Sequence, residues 1–116
     1  MKAKMAVAAL GALAQESRLA VFRLLVKRGP AGYTPTELAD KLGLAAPTLS
    51  FHLKGLQQAG LLDVRREGRF LYYTANFIQM NALVGYLTEH CCSLAEAECD
   101  PASCEPLGSA ARRKRA

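Results

Sequence analysis

The chain has 116 residues, which suffices for one modest hydrophobic core but not for two domains. Hydrophobic residues make up 51% of the sequence, which excludes a wholly disordered chain, and no apolar run approaches the ~20 residues that span a bilayer. The net charge of +5 does not by itself indicate a nucleic-acid partner, because much of it comes from basic residues at 112–115. We interpret this basic end as a solvated terminus rather than a DNA-contacting arm.

Two helices are predicted before residue 29. Residues 5–14 are rich in alanine and leucine and apolar on nearly every face, so this helix must be buried, which in so small a chain favours a partner subunit. The basic pair and apolar stretch at the start are only superficially similar to a signal peptide, because polar residues at 15–18 lead straight into a helical pattern. We therefore expect a cytoplasmic protein, with a second helix over 16–28 that ends at Gly29-Pro30.

A helix-turn-helix is predicted over residues 34–59. Its first helix begins with a cap, a proline suited to the first helical position and a capping box, formed by Thr34, Pro35 and Glu37. A turn at 42–44 separates it from a second helix over 46–59, which Gly60 terminates. The buried stripe of this second helix is expected to comprise Leu49, Leu53 and Leu56.

A hairpin and a last helix complete the predicted domain. Residues 61–74 alternate as two strands broken at Glu67-Gly68, and a hairpin directly after a helix-turn-helix is a wing. A last helix is predicted over 76–90, after which the helical repeat of apolar residues ends. The fold class is therefore mostly α with a small β-hairpin wing, a winged helix-turn-helix domain over 1–92. A flexible cysteine-containing loop and basic tail follow over 93–116.

Side chains able to read DNA lie in two predicted elements. The second helix of the motif offers, outside its leucine stripe, the polar residues Thr48, Ser50, His52, Lys54, Gln57 and Gln58. Because a helix enters the major groove with its N-terminal half first, we expect Thr48, Ser50 and His52 near bases or adjacent phosphates. Lys54 is expected on the sugar–phosphate backbone. The wing adds three cations at or near its tip, Arg65, Arg66 and Arg69.

Each of these residues alone is equally typical of a solvated surface. The order helix, turn, polar helix and basic hairpin is what favours binding of duplex DNA. An enzyme is not expected, because His52 and His90 lie on different elements without an obvious acid or nucleophile partner, and the chain has no glycine-rich phosphate loop.

Three stretches of the sequence resemble the arsenic-repressor (ArsR/SmtB) family. They are LSFHLKGLQQAGLL at 49–62, AQESRL at 14–19, and REGR at 66–69 followed by the tyrosine pair at 72–73. The resemblance covers about residues 5–90. It implies a homodimer paired through its first and last helices, repression by the ligand-free form, and release of operator DNA by an inducer.

The cysteines decide which of the family's metal sites this chain could carry. Residues 34–42 contain no cysteine, which argues against a thiolate site on the first helix of the helix-turn-helix. Residues 76–90 offer only Glu89 and His90, too few for a zinc site on the last helix. What remains is a C-terminal cluster of His90, Cys91, Cys92, Cys99 and Cys104.

Trivalent arsenic is the sharpest candidate ligand for this cluster. Soft thiolates select thiophilic ions, and As(III) takes three of them in a trigonal pyramid. Vicinal cysteines ending the last helix, with a third a few residues on, resemble a subset of the family, so the expected ligands are Cys91, Cys92 and Cys99. Cys104 is a weaker fourth candidate. Sb(III) or a methylated arsenical could replace arsenite, and an organoarsenical with one carbon substituent would need only the vicinal pair.

Other readings of the same cysteines stay open. Zinc could be bound by four cysteines, or by three with His90, although adjacent cysteines seldom both bind one zinc ion comfortably. A vicinal-thiol redox switch would need no metal. The cysteines could also be surface residues without a sensing role, and a structural zinc module would lose its fold on chelation.

Overall fold

The computed structural model describes residues 1–95, which form five α-helices and one two-stranded antiparallel sheet. The helices are α1 Ala3–Leu13, α2 Glu16–Arg28, α3 Pro35–Leu42, α4 Ala46–Gln58 and α5 Phe77–Thr88. The strands are β1 Leu62–Glu67 and β2 Phe70–Ala75, and a short 3-10 turn, Gly29–Ala31, follows α2. The predicted mostly helical fold with a hairpin wing is confirmed. Of the predicted loop and basic tail over 93–116, residues 96–116 lie outside the described residues, and so do Cys99 and Cys104.

The core lies where α2, α3 and α4 pack together beneath the start of the wing. Its largest fully buried side chains are Leu25, Leu38, Leu49, Leu56, Leu61 and Val21. The leucines predicted for α4 are all buried, at the spacing that places them on one face of a helix. This packing fixes which face of α4 remains free.

The start of α3 shows the predicted capping box. The Thr34 hydroxyl accepts the Glu37 backbone N–H at 3.3 Å, and the Glu37 carboxylate accepts the Thr34 backbone N–H at 3.0 Å. This backbone hydrogen bond lowers the pKa of Glu37 below its ordinary value, and the Thr34 hydroxyl and the charges of Arg28 and Lys41 act in the same direction. The stability that this carboxylate contributes is therefore present above its unfolded-state pKa and is lost as the pH falls through the lowered value.

The wing is tied to the loop that precedes α3. Its strands pair from Leu62 opposite Ala75 to Glu67 opposite Phe70. The backbone of Tyr33 exchanges two hydrogen bonds with Tyr73 on β2, with N···O distances of 3.1 and 2.9 Å. These bonds fix the base of the wing relative to the helix-turn-helix.

Gly32 makes this attachment possible, and its replacement should be costly. Its φ is +71°, and a Cβ there would lie 2.6 Å from the Tyr73 carbonyl oxygen. We expect Gly32→Ala to lower the free energy of unfolding by about 2–4 kcal/mol, because backbone strain adds to the clash. The measurement is urea unfolding followed by circular dichroism. Gly43→Ala is the matched control, since Gly43 has φ +65° with no atom within 4 Å of the added Cβ. Equal losses in the two variants would contradict the steric argument.

The two terminal helices of the described part expose apolar side chains. α1 packs against α2, α4 and α5 through its alanines, Ala6, Ala9 and Ala12. Its other face exposes Met5, Val7 and Leu10, and α5 exposes Ile78, Val84 and Leu87. The first helix was predicted to be apolar on nearly every face, and the described residues cover only one of these faces.

Within residues 1–95, no single helix is long and apolar enough to cross a membrane. One pair of helices, Ala3–Leu13 with Glu16–Ala31, is together long and apolar enough to span a membrane, but the pair is bent by 101°.

Candidate DNA interface and sensor segment

The outward face of α4 lies directly opposite its leucine stripe. At 100° per residue, Pro47, Phe51, Lys54 and Gln58 form the stripe farthest from the core. Thr48, Ser50 and Gln57 lie beside this stripe and are also exposed. The structure therefore brings four of the five predicted α4 contacts, Thr48, Ser50, Lys54 and Gln57, to the free surface of the helix.

His52 is placed differently from the expectation. It is only 7% exposed, because it follows Leu49 by three positions and shares the buried stripe. Its Nδ1 atom is buried and has no hydrogen-bond partner among the described residues. The polar side chain of His52 predicted a DNA contact, but its position in the helical repeat turns it inward, so His52 does not belong to the DNA-facing surface.

Phe51 is an exposed residue of α4 that sequence reasoning missed. Its side chain is 65% exposed, and the Arg18 guanidinium carbon lies 5.3 Å from its ring centroid. Arg18 reaches across from α2 over Gly55, where a Cβ would lie 3.1 Å from that same carbon. The helical repeat could have identified Phe51, since it falls three positions before Lys54 on the outward stripe.

The three wing arginines have different surroundings. Arg65 donates from all three guanidinium nitrogens, to Glu67 Oε1 at 2.8 Å and to the carbonyls of Pro30 and Ala31 at 3.0 and 3.1 Å. It holds the wing against the 3-10 turn. Among the described residues, Arg66 makes only a long contact, from its Nε to the Gly68 carbonyl at 3.4 Å, and Arg69 is exposed at the hairpin turn. Arg66 and Arg69 are thus the wing cations best placed for phosphates.

The cysteine segment follows the last helix directly. α5 ends at Thr88, two residues short of the predicted end, and the chain continues in turns through residue 94. His90 and Cys92 adopt φ of +59° and +63°, in the left-handed region that non-glycine residues rarely occupy. The backbone N–H of Cys91 donates to the Thr88 carbonyl at 3.1 Å.

These turns bring two sulfurs together. The Sγ atoms of Cys91 and Cys92 lie 3.6 Å apart. Cys91 is exposed and carries a free thiol, whereas Cys92 is disulfide-bonded. His90 is paired with Glu89 at 3.3 Å. Residues 1–95 alone bring together no group of three or more metal-binding side chains.

Comparisons with known proteins agree with this architecture. Residues 13–65 match the family model described as a helix-turn-helix domain. The transcriptional activator HlyU of Vibrio cholerae serotype O1 is 32% identical over 82 residues, which cover 71% of this chain and 73% of the relative. These matches are to transcriptional regulators, not to enzymes, as the sequence predicted.

Solved structures show the same likeness. An ArsR-like transcriptional regulator from Rhodococcus sp. RHA1 has a TM-score of 0.66 at 26% identity, covering 72% of this chain and 76% of that one. A homodimeric winged helix-turn-helix DNA-binding domain from Mycobacterium bovis, described as a possible ArsR-family regulator, has a TM-score of 0.60 at 26% identity, covering 84% and 88%. The chain therefore belongs to the ArsR-type family of winged helix-turn-helix transcriptional regulators.

Proposed function

We propose that this protein is a homodimeric repressor that binds operator DNA and releases it when trivalent arsenic binds thiolates after its last helix. The DNA-binding part rests on one observation above all: α4 leaves a polar and basic face free beside a wing that carries Arg66 and Arg69. The sensing part rests on the two sulfurs 3.6 Å apart at the end of α5.

The dimer is supported by the apolar faces of α1 and α5. These helices pack against each other, and each leaves large apolar side chains exposed, among them Val7 and the 84%-exposed Ile78. An exposed apolar surface of this kind is typical of a subunit interface. A two-fold dimer would present two copies of α4, which can read half-sites one DNA turn apart.

Phosphate binding should make DNA affinity strongly dependent on salt. Three cations in each subunit, Lys54, Arg66 and Arg69, would neutralise six phosphates in the dimer. The logarithm of affinity should then fall with the logarithm of salt concentration with a slope of about −5.4. Arg69→Gln should reduce the slope to about −3.6, because two contacts are lost.

Fluorescence anisotropy at several salt concentrations measures this slope. Arg23→Gln, which removes the same charge from an exposed position on α2, is the matched control and should leave the slope at its wild-type value. A slope that is unaffected by Arg69→Gln, or equally reduced by both substitutions, would show that the wing does not contact phosphates.

Arsenic binding requires reduced cysteines. A metal–thiolate bond is about 2.3 Å long, so two sulfurs that share one ion must lie within about 4.6 Å of each other, as those of Cys91 and Cys92 do. The third thiolate would come from Cys99, with Cys104 as a weaker candidate. Sb(III) or a methylated arsenical would use the same sulfurs. Because Cys92 is disulfide-bonded in the structure, arsenite has to be tested in the presence of a non-thiol reductant.

The coupling between the two sites follows from their positions. The cysteines follow α5, and α5 packs on α1, so ligand binding can shift one subunit relative to the other and move both copies of α4. By thermodynamic linkage, operator DNA must weaken arsenite binding by the same factor by which arsenite weakens DNA binding.

The test begins with an operator selected from random duplexes by the purified full-length chain. Arsenite is then titrated into the protein–operator complex under reducing conditions, and release is followed by anisotropy. Specific binding that arsenite reverses is the expected result. A reporter gene fused to the selected operator tests the direction of regulation, which matters because the Vibrio cholerae relative is named an activator. Binding that arsenite does not reverse would eliminate the arsenic assignment.

A redox- or zinc-responsive repressor with the same cysteines is the second candidate. The exposed thiol of Cys91 beside the Cys92 sulfur supports the redox form, because its oxidation would change the segment that follows α5. Release of the operator by hydrogen peroxide and its restoration by reductant, without an effect of arsenite, would select this candidate. Release by zinc alone would select the metal alternative.

A further inference from the structure

Phe51 is a large apolar side chain on the outward face of α4, which otherwise carries mostly polar residues. It is 65% exposed, and its neighbours on the outward stripe are Pro47, Lys54 and Gln58. About two thirds of this side chain lies uncovered by the described residues. Covering the exposed part of its apolar ring would contribute further free energy.

The ring is held in place rather than left free. The Arg18 guanidinium carbon lies 5.3 Å from the ring centroid, within the range of a cation–π contact. Arg18 is itself half-buried against Gly55, and its Nε atom is fully covered. Arg18 is therefore a positioning residue for Phe51, and the absence of a side chain at Gly55 makes room for it.

The major groove offers one apolar group that matches such a ring. Of the four bases, only thymine presents a methyl group at the groove edge, and the other groups there are hydrogen-bond donors and acceptors. Thr48, Ser50 and Lys54 around Phe51 can satisfy donors, acceptors and phosphates, whereas the phenyl ring can satisfy none. We infer that Phe51 reads the C5-methyl group of a thymine in each half-site, held in position by Arg18. The inference rests on the proposed binding of operator DNA by α4.

The test removes the methyl group from DNA and the ring from the protein. Each thymine of the selected operator is replaced in turn by deoxyuridine, which keeps Watson–Crick pairing and lacks only the methyl. At the contacted position, wild-type affinity should fall about fourfold for one half-site and roughly 15-fold for both, the effect of uncovering one methyl-sized group per subunit. The Phe51→Ala protein should bind the thymine operator more weakly than the wild type does, and replacing thymine by deoxyuridine should not lower its affinity further.

Two further variants distinguish recognition of the thymine methyl group from an overall loss of DNA affinity. Lys54→Gln should bind both duplexes less tightly and keep the wild-type thymine-to-deoxyuridine ratio. Arg18→Gln should reduce that ratio without removing it, because the ring is still present but no longer fixed. Thermal unfolding and the dimer mass are measured for all three variants, so that a folding or assembly defect is recognised.

The outcomes distinguish this inference from the function on which it rests. Failure to select any specific duplex overturns both. Specific binding with no thymine position sensitive to deoxyuridine overturns the inference and leaves DNA binding standing. A Phe51→Ala variant that keeps the wild-type ratio also overturns it, and so does one that becomes monomeric, because Phe51 would then be a subunit contact.

Discussion

Glutamate in place of Val7 is expected to dissociate the dimer and to weaken operator binding by at least ~100-fold. Val7 is 68% exposed on the apolar face of α1, and the opposite face of the helix is already packed through Ala6 and Ala9. The substitution therefore places a charge in the proposed subunit interface without disturbing the core of the chain. A monomer has a single α4 and loses the avidity of two linked half-site contacts, which amounts to a factor of about 10²–10⁴.

Sedimentation velocity gives the mass of the variant, and gel shifts on a full operator and on a half-site give its affinities. Ala20→Glu is the matched control, because Ala20 is exposed on α2 between Glu16, Arg23 and Lys27, a surface already occupied by charges. It should remain dimeric and bind normally. A Val7→Glu protein that is still dimeric, or a wild-type protein that is monomeric at micromolar concentration, would place the interface elsewhere or remove it.

The order and limits of the elements were predictable because the sequence marks them chemically. Thr34, Pro35 and Glu37 start α3, glycines follow the ends of α2 and α3, and Gly68 turns the hairpin. Each of these signals acts locally, through a cap, a fixed φ or a positive φ, so tertiary packing did not need to be known. The predicted limits accordingly agree with the structure to within about two residues at each of these helices.

The residues of the DNA-facing surface were harder to predict, because residue type and residue position gave opposite indications. His52 has a polar side chain but faces the core, and Phe51 has an apolar side chain but faces solvent. The helical repeat separates them by 100°, so position in the repeat, unlike residue type, indicates where each of them faces. Arg65 is a different case, since its bonds to the carbonyls of Pro30 and Ala31 span more than thirty positions in sequence and could be seen only in the folded chain.

The geometry of the cysteine segment could not be predicted at all. The apolar repeat of α5 stops before it, and left-handed backbone at His90 and Cys92 has no sequence signal of the kind that glycine provides. The 3.6 Å separation of the two sulfurs is seen only in the folded chain, since the sequence indicated only that the cysteines are adjacent.

Serine at Cys91 or at Cys92 is expected to abolish release of the operator by arsenite while leaving the affinity for DNA unchanged. Both cysteines follow α5 in the chain and belong neither to α4 nor to the wing, so the proposed DNA-contacting residues are kept. Losing one of three thiolates should raise the arsenite concentration needed for half-release by more than about 100-fold, since even outer contacts of a metal site are worth 10–100-fold. Anisotropy titrations under reducing conditions measure both quantities, with Ser93→Ala as the neighbouring control.

The four cysteine variants together identify the ligand chemistry. A three-thiolate arsenic site predicts that Cys91→Ser, Cys92→Ser and Cys99→Ser lose the release of operator by arsenite and that Cys104→Ser retains it. A site for an organoarsenical with one carbon substituent needs only the vicinal pair, so Cys99→Ser would still respond to phenylarsenite. Zinc held by four cysteines would make all four substitutions harmful, and the response would be to zinc rather than arsenite. Full arsenite response in both vicinal variants would contradict every one of these sites, because Cys91 and Cys92 are common to them all.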